Sequence, residues 1–382
     1  MKKIVIFTSY GGGGQKSITQ ALDQYLSDSY EIITENIFSS TLGSIDPIKK
    51  VTWGKYTGED VYNYCLSKQF FRLLSTVLYC FGAHYYNIRH KKSESLITNF
   101  LQKESPDLII SIIPFVNQMI LDAAQKQAIP FILFPPDLDT DMYLNNMSPV
   151  TYDQFYLALP FTYEFLLEKI AHDKIPQSQI LVTGYPLKKE FFQEHDSEKI
   201  KERFNIPKNK KIIFVLLGSH GAPTEYRFAK ALSTIDYPAH IIFCVGKNHG
   251  MKQKVDALIY QAPVTKTVFD YTNHVAEILA ITDILLTKSG TVSVCEGLYM
   301  SAPMILDGTS CVLKWERENH RFIVQHNLGV SAKTCHDLVH IITQWLNDPE
   351  EIDMIKKRIS EMEKKNGGEE IRKLIDQLLK TI

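Results

Sequence analysis

The sequence predicts an α/β protein of two doubly wound domains, each a parallel sheet covered on both faces by helices. Three observations predict it. A chain of 382 residues is too long for one ordinary hydrophobic core. Short apolar runs rich in β-branched residues alternate with helical stretches, the order of a parallel sheet with crossover helices. The series also restarts: residues 3–8 and 211–217 are both strand-like runs that end in a glycine turn.

In the first half, residues 3–8 are followed by Gly11-Gly12-Gly13-Gly14 and then by helical periodicity over 17–25. Strand-like runs recur at 108–113, 131–134, 154–159 and 180–183, with helical stretches at 93–101 and 117–127 between them. Residues 186–211 change character, with clustered charges between Pro186 and Pro207, so the domains are expected at 1–190 and 211–365 with a linker at 191–210. In the second half, strands are expected at 240–245, 267–269, 284–287 and 303–306. A last helix within 366–382 carries Ile371, Leu374, Ile375, Leu378 and Leu379 on one face and is expected to pack back on the body. Two such domains are expected to face each other across a cleft.

Composition narrows the function. The net charge of −1 gives no global field toward nucleic acid, so no nucleic-acid partner is expected. Six scattered cysteines without a CxxC argue against structural zinc and a disulfide framework, and no metal cluster is expected. The apolar run near the N-terminus is too short for a secretory leader, and a cytoplasmic protein is expected. Residues 70–86 come nearest to a membrane span but carry Arg72 and His84, which fits an interfacial or buried helix better.

Three turns carry candidate chemistry. The Gly11–Gly14 run lets backbone N–H groups approach a ligand, and the helix start behind it favours an anion. It is neither GxGxxG in register nor a P-loop, and a merely tight turn is the other reading. Gly218-Ser219-His220-Gly221 repeats the arrangement. Lys288-Ser289-Gly290-Thr291 follows the strand at 284–287 and opens a helix with Glu296 two turns in. That combination suits a diphosphate and a ribose diol; an ordinary capped helix with a solvated Glu296 is the alternative. Further on, Trp315, Glu316, Glu318 and Asn319 combine an indole, carboxylates and an amide, which suits sugar hydroxyls as well as a charged helix start.

These residues resemble a glycosyltransferase family of the GT-B fold, two Rossmann-like domains. The family contains monogalactosyldiacylglycerol synthases, processive diacylglycerol glucosyltransferases and the lipid II-forming N-acetylglucosaminyltransferase. The likeness is dense over 267–330, where strand, TKSG turn, helix, Glu296 and the Glu316…Asn319 pair follow in order. LLGSHGA, GEDVYNYCLSK, FPPDLDT and LVTGYPLKKEF extend it over nearly the whole chain.

The resemblance implies inverting transfer of a hexose from a UDP-sugar to a membrane lipid, 1,2-diacylglycerol first, with no cofactor beyond the donor. Gly218, Ser219, His220 and the turn Lys288, Ser289, Gly290, Thr291 would hold the diphosphate. Glu296 would bind the ribose, Tyr271 in the 269–275 loop would flank the uracil, and Glu316 and Asn319 would contact the sugar. Gly14 would lie near the diphosphate and acceptor. Where the family commonly places a histidine base, this chain has Gln15, and an amide has no useful proton affinity. Asp137 is the first substitute, with Asp139 and His220 behind it. A lipid acceptor implies a peripheral enzyme on an anionic cytoplasmic membrane face. The aromatic and basic region 62–92, with Tyr64, Phe70, Phe71 and Arg72, is the candidate docking stretch, against a reading of its aromatics as core. A UDP-sugar 2-epimerase and a non-catalytic UDP-sugar sensor, the latter favoured by Gln15, remain the rival readings.

Overall fold

The computed structural model describes residues 1–144, 147–161, 170, 175–218 and 223–380. The chain divides into two compact units. The first holds Met1–Lys189, Leu313–Trp315 and Lys364–Ile382; the second holds Glu190–Val312 and Glu316–Glu363.

In the first unit, strands β1 (Lys3–Thr8), β2 (Glu31–Asn36), β3 (Leu108–Ser111), β4 (Phe131–Leu133), β5 (Phe155–Leu159) and β6 (Ile180–Val182) form one sheet. Its order is β2-β1-β3-β4-β5-β6, and every pairing is parallel. Ile4, Val5, Ile6 and Phe7 are all fully buried, which is why β1 reads as a continuous apolar run rather than an alternating one. β2 escapes such a reading: EIITEN is polar and partly exposed at the sheet edge.

The last helix, Gly367–Lys380, belongs to this unit and buries Ile371, Leu374, Ile375 and Leu379. Its first two residues must be small. A Cβ at Gly368 would sit 2.2 Å from the Tyr25 ring, and one at Gly367 would sit 2.3 Å from the Tyr185 carbonyl carbon. Arg372 then fastens the helix, donating to the Tyr25 carbonyl (2.8 Å) and to Asp28 (2.9 Å).

The second unit repeats the plan with β7 (Lys211–Leu216), β8 (Ala239–Cys244), β9 (Thr265–Phe269), β10 (Ile284–Thr287), β11 (Met304–Asp307) and β12 (Gly329–Ala332). The order is β12-β11-β10-β7-β8-β9, again wholly parallel. Residues 191–210, expected as a linker, sort with this unit. The reason is local: Arg203 at the end of the Ser197–Arg203 helix pairs with Glu277 at 2.7 Å, and Phe204 meets Phe269 edge-on.

Both sheets have one place where the strand order reverses: between β1 and β3 in the first, and between β7 and β10 in the second. In open parallel sheets, ligands bind beyond the carboxyl ends of the strands at such a reversal. β1 runs there into the Gly11–Gly14 turn, β7 into Gly218, and β10 into Lys288–Thr291. The fold therefore picks out the turns singled out by their residue types.

Candidate functional site

In the second unit the β10 turn is rigidly built. Thr287, fully buried, donates its hydroxyl to the Leu216 carbonyl of neighbouring β7 at 2.8 Å. Gly290 is the N-cap of the Thr291–Tyr299 helix, and no side chain caps it. Asn319, fully buried on the Arg317–Gln325 helix, donates its amide to the Ser289 carbonyl (3.0 Å) and to the Thr291 hydroxyl (2.8 Å). Its amide is thus a brace for the turn. A Cβ at Gly290 would stand 3.5 Å from the Glu316 carboxylate, an ordinary contact distance that puts the acid beside the turn.

Ser289 is 2% exposed, yet its Oγ is buried without a hydrogen-bond partner. Leaving a buried hydroxyl unpaired costs about 1–3 kcal/mol, so such an atom calls for an explanation. It sits beside an uncapped helix N-terminus, where the partial positive charge favours anions. Glu296 is buried in the same helix. Gly218, two residues past the end of β7, has φ +100°, a backbone that favours glycine. Ser219 and His220 lie outside the described residues. Tyr271, past the end of β9, is 49% exposed with the Lys247 ammonium 5.7 Å from its ring.

In the first unit the glycine loop is propped by the Gly58–Ser67 helix. Glu59 accepts from the Ser9 hydroxyl (2.7 Å), the Tyr10 N–H (2.8 Å) and Asn36 (2.8 Å). Asn63, one turn on, accepts from the Gly12 N–H (2.9 Å) and donates to the Tyr10 carbonyl (3.0 Å). The Tyr10 and Gly12 N–H groups therefore point at protein side chains rather than at a ligand. Gly14 begins the Gly14–Leu26 helix, with Gly13 as its N-cap and no side-chain cap.

Asp137 is half-buried and accepts from the Tyr143 hydroxyl at 3.0 Å. That phenol is pushed well up, first by burial, then by the Asp137 charge and its hydrogen bond, with smaller effects from Tyr185 and Tyr62. Asp139 is committed differently, its Oδ1 accepting from the Asp141 N–H at 3.1 Å. Tyr62 joins these parts. Its ring lies against Gly11, where a Cβ would come within 3.2 Å, and stacks on Trp315 at 6.4 Å and 25°. Trp315 is 7% exposed and packs with Cys65, Phe71, Leu74 and Leu313, so its indole is committed to this cluster. Phe71 is thereby buried too, while Tyr64, Phe70 and Arg72 are exposed.

Residue type alone did not single out Glu59, Asn63 or Tyr143. For the first two a signal existed: positions 59 and 63 are four apart and share one helix face. Tyr143 had none. Among the described residues, His90, Glu94 and Asp122 have metal-capable spacing. Their atoms are already matched, since His90 and Gln118 bond Asp122 and Lys126 pairs with Glu94.

Residues 212–378, almost the whole run from β7 to the last helix, match the profile described as glycosyltransferase family 28 C-terminal domain. The second unit thus carries a glycosyltransferase family 28 C-terminal domain, and the two sheets have the GT-B fold. A processive diacylglycerol beta-glucosyltransferase of Bacillus pumilus (strain SAFR-032) is 23% identical over 374 residues, covering 97% of this chain and 93% of that protein. The protein of the same description from Bacillus subtilis (strain 168) is 22% identical, covering 97% and 94%. Among solved structures, MurG of Acinetobacter baumannii superposes with a TM-score of 0.66 over 99% of this chain and 100% of MurG, at 13% identity.

Proposed function

We propose that this chain moves a hexose from a UDP-sugar to a membrane lipid, 1,2-diacylglycerol, with inversion at the anomeric carbon. One observation carries the donor side: a braced turn at the strand-order reversal presents an unpartnered, buried Ser289 hydroxyl beside an uncapped helix N-terminus. A diphosphate supplies acceptor oxygens for that hydroxyl and for the helix N–H groups. Lys288 would add a cation, Glu296 would accept from the ribose diol, Tyr271 would cover the base, and Glu316 would reach the sugar. The acceptor class is supported by the relatives described as diacylglycerol glucosyltransferases, which match along nearly the full chain.

Transfer needs a base for the acceptor hydroxyl. Asp137 takes this role, positioned by the Tyr143 hydroxyl. The hydroxyl oxygen attacks the anomeric carbon as its proton passes to the carboxylate, and UDP leaves with the electron pair of the broken bond. Backbone donors at the turn stabilise the developing diphosphate charge.

Gln15 supports a second reading, a protein that binds UDP-sugar without turnover, because its side-chain carbonyl is buried without a partner where the resembling family has histidine. UDP release separates the two. The proposal expects release from one of UDP-glucose, UDP-galactose or UDP-N-acetylglucosamine, dependent on diacylglycerol vesicles. UDP binding without release from any donor would favour the second reading.

A further inference from the structure

The first unit carries an exposed aromatic loop that the site does not use. Trp53 is 96% exposed, against 7% for Trp315 and 1% for Trp345. Val51 is 76% and Tyr56 is 49% exposed on the same short stretch. Single exposed apolar residues are ordinary, but an ordered loop presenting three together calls for a partner.

The loop is built rather than slack. The Thr52 hydroxyl donates to the Ile48 carbonyl (2.7 Å) and accepts from the Tyr56 N–H (3.1 Å), while the Gly54 N–H donates to the Lys49 carbonyl (2.7 Å). Trp53 and Gly54 both have left-handed backbone, φ +48° and +82°. For a bulky residue such as tryptophan that conformation is an outlier.

Charge identifies the partner. Residues 47–58 contain Lys49, Lys50 and Lys55 and no carboxylate. The flanking acids are turned to local work: Asp46 accepts from the Ile48, Lys49 and Gly58 N–H groups, and Asp60 accepts from the Thr57 N–H and hydroxyl. Tryptophan and tyrosine favour the bilayer interface, and lysines beside them favour anionic headgroups.

We infer that residues 51–56 are a membrane anchor, with Trp53, Val51 and Tyr56 entering the headgroup layer of an anionic bilayer while Lys50 and Lys55 meet lipid phosphates. This deepens the proposed lipid-acceptor reading and rests on it for its purpose. The anchor is separate from Tyr64, Phe70 and Arg72, and none of its residues belongs to the catalytic or donor machinery.

The test uses the full chain with vesicles of phosphatidylcholine alone or mixed with phosphatidylglycerol. Trp53 is the exposed indole of three, so its emission should move to shorter wavelength with the anionic vesicles. Trp53→Ser should lose that shift and weaken partitioning about tenfold, the order expected for withdrawing an indole from an apolar layer. A Lys50→Glu, Lys55→Glu double variant should lose the preference for anionic lipid. UDP release with a detergent-dispersed acceptor should be unchanged in Trp53→Ser. Equal partitioning of wild type and Trp53→Ser would overturn the anchor. So would an emission shift that grows with protein concentration without vesicles, because a second copy would then cover the loop. Trp53-dependent vesicle binding without UDP release from any donor would support the anchor while sinking the transferase reading.

Discussion

Replacing Asn319 by leucine tests whether the second unit holds its turn through one amide. The swap keeps most of the buried volume but removes the bonds to the Ser289 carbonyl and the Thr291 hydroxyl. Two neutral hydrogen bonds contribute about 1 kcal/mol each, and an unsatisfied buried carbonyl costs roughly 1–2 kcal/mol more. The loss is therefore about 3 kcal/mol, concentrated at the start of the Thr291–Tyr299 helix. Since each 1.4 kcal/mol is about tenfold, amide exchange across that helix should speed up by roughly a hundredfold. Hydrogen exchange read by mass spectrometry on peptides spanning 284–299 resolves this, with β8 as an internal control. UDP affinity, by calorimetry, should fall in parallel because the turn must be rebuilt on binding. Unchanged exchange and affinity would refute the bracing role. Faster exchange with unchanged affinity would refute the donor site.

Tyr143→Phe should raise the acidic limb of the pH–rate profile for UDP release. The tyrosine donates to the charged form of Asp137, so its loss favours the protonated carboxyl. The limb should therefore move to higher pH, and a profile that does not move would exclude Asp137 as the titrating base. His240 should make the second unit acid-labile. Burial depresses its imidazole from 6.5 to about 4, so between those values the unfolded chain takes up a proton that the folded ring refuses. The contribution is fully present above pH 6.5 and is lost as the pH falls toward 4. His240→Asn should flatten the thermal midpoint between pH 7 and 4.5 relative to wild type, and equal slopes would count against this account.

Much of the fold was legible because parallel strands are buried on both faces and read as unbroken apolar runs. β1 and β10 were located to the residue for that reason. The edge strands β2 and β12 were not, since EIITEN and GVSA carry too little apolar signal. The turns at Gly14, Gly218 and Lys288–Thr291 stood out by residue type, and the sheet order places them at the two reversals. What sequence could not convey was which side chains pair. Nothing local in Trp315 tells that Tyr62, 253 positions earlier, stacks on it, or that Tyr143 turns its hydroxyl on Asp137.

The last helix has a consequence for how the chain is made. Its seat is the Gly14–Leu26 helix, and Tyr25 and Asp28 wait there for Gly368 and Arg372. Roughly 340 residues separate seat and occupant, which at about 5–20 residues per second leaves that surface uncovered for some 20–70 s of translation. The half of the molecule that leaves the ribosome first is thus the last to be finished. A nascent chain stalled after residue 332 but before residue 367 would carry every strand of the second sheet and an unsealed first one.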